Sequence, residues 1–199
     1  MRFEFARADV VRAVNQRWLL KFWAENLAAQ RVPQWQNIDV DRLSGFQENL
    51  SFLDVVRDAA GGMRFLIRFH GETIRRVYAS PDGRGRHLDE IVSTTACSNG
   101  LAPYEKAARD GVPVYTVLQV SDRHGRTVSA ERLLLPFGRD GKTADRLLAA
   151  FEFICDDGAF DSAALLQFTG TPTIRLAAQI ETRPESMGFA ITSRPAETG

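Results

Sequence analysis

With 199 residues, 22.2 kDa and 44% hydrophobic side chains, the chain holds enough apolar material for one ordinary hydrophobic core. Its 25 Lys and Arg balance 25 Asp and Glu at a pI near 6.8, which leaves no basic field for nucleic acid or anionic lipid. No run of about 18 apolar residues occurs, and Glu4, Arg7, Asp9 and Arg12 interrupt the N-terminus, so neither a membrane span nor an export signal is expected and the expected location is the cytoplasm. Cys97 and Cys155 stand far apart and outside any Cys-x-x-Cys arrangement, which points to two reduced thiols rather than a disulfide or a zinc site.

In chain order, the first predicted element is a helix over 7–29, free of Gly and Pro, with Val11, Val14, Trp18, Phe22 and Leu27 near helical spacing. Trp18, Leu19, Leu20, Phe22 and Trp23 widen its apolar stripe beyond what one core contact requires, so the helix is expected to have two partners. Two arrangements fit: it caps its own domain, or it pairs across a homodimer with Trp18, Phe22 and Trp23 as interface residues. Pro33 closes this region, and 39–45 reads as a short connecting turn or helix, with Gly45 a candidate C-terminal stop.

Strands follow. Residues 50–57 are rich in β-formers, Ala60-Gly61-Gly62 is turn material, and 63–70 alternates with Met63, Phe65, Ile67 and Phe69 on one side, giving a hairpin. Residues 71–111 break into short helical pieces around Ser80-Pro81-Asp82-Gly83 and end in a helix through Tyr104, Ala107 and Ala108 that Gly111 stops. Three more strands are predicted over 112–121, 127–137 and 146–153, joined by turns at 122–125 and 138–141. The class is therefore α+β: a five-stranded antiparallel sheet with helices inserted after strand 2, plus the N-terminal amphipathic helix. After Asp156 the periodicity fades. The expected organisation is an N-terminal helix over 1–32, a domain over 33–156 and a loosely held, partly disordered extension over 157–199, in which 161–168 supplies a helical turn or two.

Several short stretches carry a resemblance. Leu20-x-Phe22-Trp23 with Leu27 and Pro33, Ile38-Asp39 through Leu50-x-Phe52-Leu53-Asp54-Val55, Phe69-His70-Gly71-Glu72-Thr73-Ile74 and Gly85-Arg86-His87-Leu88-Asp89-Glu90-Ile91 come first. Tyr104 through Gly111-Val112-Pro113 and Glu131-Arg132-Leu133-Leu134-Leu135-Pro136 follow in order. Together with the strand and helix order, they resemble PAS domains, in particular a bacterial family whose members are little more than the one domain. His70 departs from the small or aliphatic residue that the family usually carries there.

The resemblance implies a cavity between the sheet and the inserted helices, where PAS domains hold haem, flavin, small acids or nothing. Haem asks for an axial histidine on the long helix, and 93–110 has none; His70, His87 and His124 lie elsewhere. Photoactive flavin asks for Asn-Cys-Arg-Phe, whereas the run here is Thr95-Ala96-Cys97-Ser98-Asn99. Neither is expected, and the cofactor is left open. Gly83-Arg84-Gly85-Arg86-His87 has the composition of an anion loop but not its strand-to-helix context, and reads as a tight turn. No hydrolase motif occurs, and His87 with Asp89 at i and i+2 would not share a helix face.

The candidate ligand-binding residues are Tyr78, Tyr104 and Tyr115, with hydroxyl handles, and Arg132, a fixed cation able to meet a carboxylate. The expected function is a sensory or signalling module, not an enzyme, acting through a small-molecule ligand or a signalling-protein partner, with no role for nucleic acid or membrane insertion. Two other readings stay open: a small cavity enzyme of isomerase type on the same scaffold, and a ligand-free dimerisation scaffold.

Overall fold

The computed structural model of the protein describes residues 1–80, 82–92, 94–167 and 172–182, over 94–99 the backbone alone. The seven strands β1 (Glu4–Ala6), β2 (Leu50–Arg57), β3 (Met63–His70), β4 (Val114–Ser121), β5 (Thr127–Phe137), β6 (Arg146–Ile154) and β7 (Thr173–Ile180) form one sheet. Its order is β1-β7-β4-β5-β6-β2-β3, antiparallel at every junction except the parallel β1–β7 pair. The helices are α1 (Val14–Glu25), α2 (Glu72–Val77) and α3 (Thr94–Asp110), with α2 and α3 inserted between β3 and β4 as expected.

Among the described residues the sheet has seven strands instead of the expected five, and the two additions sit together at one edge. β7 lies in the segment read as a loosely held extension. Ile174, Leu176, Ala178 and Ile180 do alternate there, but Thr173, Arg175 and Gln179 between them are polar and only the second half of the strand is covered, so the period is masked by composition. Its register against β4, from Val114 opposite Gln179 to Gln119 opposite Thr173, supplies the main-chain partners that local propensity does not. Of the expected helical turn over 161–168, residues 163–167 form turns, and residue 168 and the end of the tail lie outside the described residues.

Each face of the sheet carries its own core. On one face α1 packs Leu19, Leu20, Phe22 and Trp23 against Tyr115, Leu133, Leu135, Phe137 and Leu148. On the other, α2 and α3 cover Leu53, Phe65, Ile67, Leu134, Leu147 and Phe151 with Ile74, Val77, Tyr104 and Ala107. Strict alternation along β5 sends Leu133 and Leu135 to the first face and Arg132 and Leu134 to the second.

The helix predicted over 7–29 begins later, at Val14, because Ala8–Val10 is a 3-10 turn and Ala13 is extended. Its broad stripe does have two partners, and both lie within the chain: the sheet, and the 3-10 segment Val40–Asn49, whose Leu43 and Phe46 join the same core. Trp18 stacks on Phe22 at 5.4 Å and on Phe46 at 4.8 Å, with the Arg42 guanidinium 5.3 Å above it. Phe22 and Trp23 are fully buried, and Trp23 Nε1 donates to Pro136 O at 2.6 Å. The residues expected at a dimer interface are thus consumed by the chain's own core, with Trp18 half-covered at its margin.

The free long edge of β3 is partly occupied by a loop: Ile67 N–H donates to Arg86 O, and Gly85 N–H donates to Ile67 O, both at 2.9 Å. At the end of β3 the chain passes beneath the 3-10 segment, and a Cβ on Gly71 would lie 2.1 Å from Gln47 O and 2.3 Å from Glu48 O. Because the obstacles are main-chain atoms, Gly71→Ala is expected to lower stability by about 1–3 kcal/mol or more. Urea unfolding checks this, and an unchanged midpoint would mean that the 3-10 segment yields freely.

Candidate functional site

Between the sheet and the inserted helices lies a cavity of about 50 Å³, walled by apolar residues including Leu118, Ala130, Phe151 and Leu166 and carrying Tyr78 and Arg132 as polar members. Arg132 reaches it because β5 alternation turns its side chain toward α3, and burial leaves it only 6% exposed. Its Nε donates to Thr116 Oγ1 and its Nη1 to Gly100 O, each at 3.3 Å, and its guanidinium lies 4.7 Å from the Tyr104 ring centroid. Among the described residues, Nη2 has no hydrogen-bond partner. Burial pushes the Tyr78 phenol well above its ordinary range, with Tyr104 adding to the effect and Arg132 opposing it, so the hydroxyl stays protonated and able to donate.

Three of the four expected ligand residues, Tyr78, Tyr104 and Arg132, therefore meet on one face: Tyr78 and Arg132 line the cavity and Tyr104 stacks under the guanidinium. Tyr115 does not join them. It projects to the α1 face, where its hydroxyl donates to Glu131 Oε2 at 2.5 Å; burial and that carboxylate raise its pKa strongly. The tyrosines are grouped in sequence by residue type, as aromatic bodies with hydroxyl handles, whereas strand parity assigns Tyr115 and its neighbour Thr116 to opposite faces.

Sequence reasoning missed the polar cluster behind Tyr115. Glu131 is fully buried and pairs with Arg12, just ahead of α1. Gln16, also fully buried, donates from Nε2 to Glu131 O at 3.2 Å and Ala150 O at 3.0 Å. The available signal was two adjacent ionisable residues, Glu131 and Arg132, leading into the apolar second half of the strand: parity sends them to opposite faces, and both faces are buried there.

His70 adjoins the cavity wall, stacked on Tyr78 at 6.2 Å and directly opposite Ser51 on β2. Among the described residues, neither its Nδ1 nor Ser51 Oγ has a partner. Burial, with the charge of Arg75 adding and Asp82 opposing, lowers its pKa to about 4. The arginines of the glycine-rich turn have local partners, Arg84 with Asp82 at 3.1 Å and Arg86 with Glu90 O at 2.9 Å, and Gly85 takes φ +79°. Asp89 pairs with Arg64 at 2.8 Å. The Cys97 side chain lies outside the described residues, and Cys155 is a half-buried free thiol. Among the described residues, no group of three or more His, Cys, Asp or Glu is placed to hold a metal, and no helix is long and apolar enough to cross a membrane.

A cavity between inserted helices and the inner face of strands ordered β3-β2-β6-β5-β4 is matched by sequence: residues 11–152 fit the family model for the PAS domain. The chain belongs to the PAS-domain family. No curated protein matches the chain. The PAS match runs from just before α1 to the end of β6, so the helix over the outer face falls inside it while β1 and β7 are additions to it. Membership makes this PAS protein, in general terms, a sensory or signalling module.

Proposed function

We propose that this PAS domain is a ligand-responsive sensory module that takes a small molecule into the cavity beneath α2 and α3 and passes on its state through protein contacts, without catalysis of its own. The observation that carries this reading is the make-up of the cavity wall: apolar over most of its surface, with Tyr78 and the buried Arg132, whose Nη2 has no hydrogen-bond partner among the described residues, in its lining. Few convergent polar groups in an apolar recess are how small-molecule sites fix orientation. The response would travel through side-chain contacts, and a homodimer or a separate signalling protein are both suitable receivers. The stripe of Phe22 and Trp23, buried in this chain, is not the surface used.

Native mass spectrometry of gently purified protein, set beside its denatured mass, tests the reading. A small-molecule excess on the native species is the expected result. A bare mass, together with no thermal stabilisation by any of a panel of small organic acids, amides and alcohols, would overturn it.

A further inference from the structure

The ligand-binding reading above is the footing for a more specific inference, concerning charge. We propose that the cavity ligand is a compact carboxylate with a short apolar tail, and that Arg132 is the residue selecting it. A guanidinium keeps its proton throughout the physiological range, so unlike a buried lysine or histidine it cannot relieve the cost of burial by becoming neutral. The partners that Arg132 has are all uncharged: the Thr116 hydroxyl, the Gly100 carbonyl and the Tyr104 ring. Its neighbour in sequence, Glu131, points through the sheet and is committed to Arg12 and Tyr115. Among the described residues no carboxylate pairs with Arg132, and Nη2 is buried without an acceptor. A buried charge lacking both a counter-charge and one hydrogen bond is costly to keep.

An incoming carboxylate supplies both at once. One oxygen accepts from Nη2, on a wall shared with Tyr78, whose hydroxyl is hydrogen-bonded to Tyr104. The remaining wall, with Leu118, Ala130, Phe151 and Leu166, suits a short alkyl group. A phosphate ion fits this wall poorly, since its other oxygens would be buried against carbon. The cavity volume of about 50 Å³ limits the ligand to a few non-hydrogen atoms.

The test uses the full chain with isobutyrate and isobutyramide, two molecules of the same shape that differ in charge, read by calorimetric titration and thermal shift. Isobutyrate is expected to bind at least about tenfold more tightly than isobutyramide, and Arg132→Gln to bring the two within about twofold. Because Arg132→Gln alters the core, Ala130→Leu serves as a second variant: it fills the cavity, leaves the guanidinium in place, and is expected to abolish isobutyrate binding. Equal binding of acid and amide would overturn the carboxylate and leave the ligand-binding reading standing. Isobutyrate binding that survives Ala130→Leu would overturn the site. If neither probe binds, the carboxylate proposal fails, and the native mass separately decides whether the cavity holds something else.

Discussion

Replacing Trp23 by alanine is expected to lower the free energy of unfolding by about 3–5 kcal/mol, a large share of the roughly 5–15 kcal/mol that holds a domain of this size. Trp23 is 0% exposed and its indole N–H is satisfied by Pro136 O at 2.6 Å, so truncation opens a cavity and strands a main-chain acceptor on β5. Trp18→Ala should cost visibly less, about 1–2 kcal/mol, because Trp18 sits at the margin of the core between Phe22 and Phe46. Urea denaturation of the two variants beside the wild type checks the order. If Trp23→Ala instead left stability intact and dissociated an oligomer, α1 would be an interface helix after all.

The second large effect is on pH dependence. His70 titrates near 4 in the folded chain against 6.5 when free, so between these values the unfolded chain binds the extra proton and the folded one does not. Stability is therefore expected to fall as pH falls from about 6.5 to about 4, by about 3 kcal/mol from this group, and to gain no further contribution from it below that. Carboxylates titrate toward the same acidic end, so the readout is a difference: His70→Leu should flatten the curve across this window and leave the rest in place. Identical slopes in wild type and variant would show that the imidazole is reached by water and not held neutral by burial.

The inner layout of the fold was legible because its signals are local. The alternation of 63–70, the turns at 122–125 and 138–141 and the Gly111 stop each rest on a few neighbouring residues, and each has its counterpart in the structure. What escaped depends on distant partners. β7 is a strand because β4 offers it an unpaired edge, and Trp18, Phe22 and Trp23 are covered because residues 40–49 fold back over α1. The site was half legible for the same reason. Tyr78, Tyr104 and Arg132 share a face, but their meeting depends on helices whose placement no spacing rule gives, and Tyr115 was misassigned although strand parity from Thr116 would have separated it. The buried Glu131 was visible only as a polar letter beside an apolar run and Gln16 was hidden between polar neighbours, and Arg12 and Gln16 find their partners on β5 and β6 more than a hundred residues away.

The two rims of the sheet bear on how this protein can meet another. One ends in β1, whose three residues pair with Ala178, Gln179 and Ile180 and leave 173–177 of β7 without an outer strand among the described residues, and the other has its middle stapled to the loop at Gly85 and Arg86. Short or covered rims are poor templates for recruiting a further strand. Ribbon-like growth of one sheet into the next is thereby discouraged at β1 and at the middle of β3, both as a route to aggregates and as a mode of recognition. A partner that meets the domain at β1 or at the stapled middle of β3 reads side chains rather than main-chain hydrogen bonds, so recognition there would be tunable by surface substitutions that leave the sheet itself undisturbed.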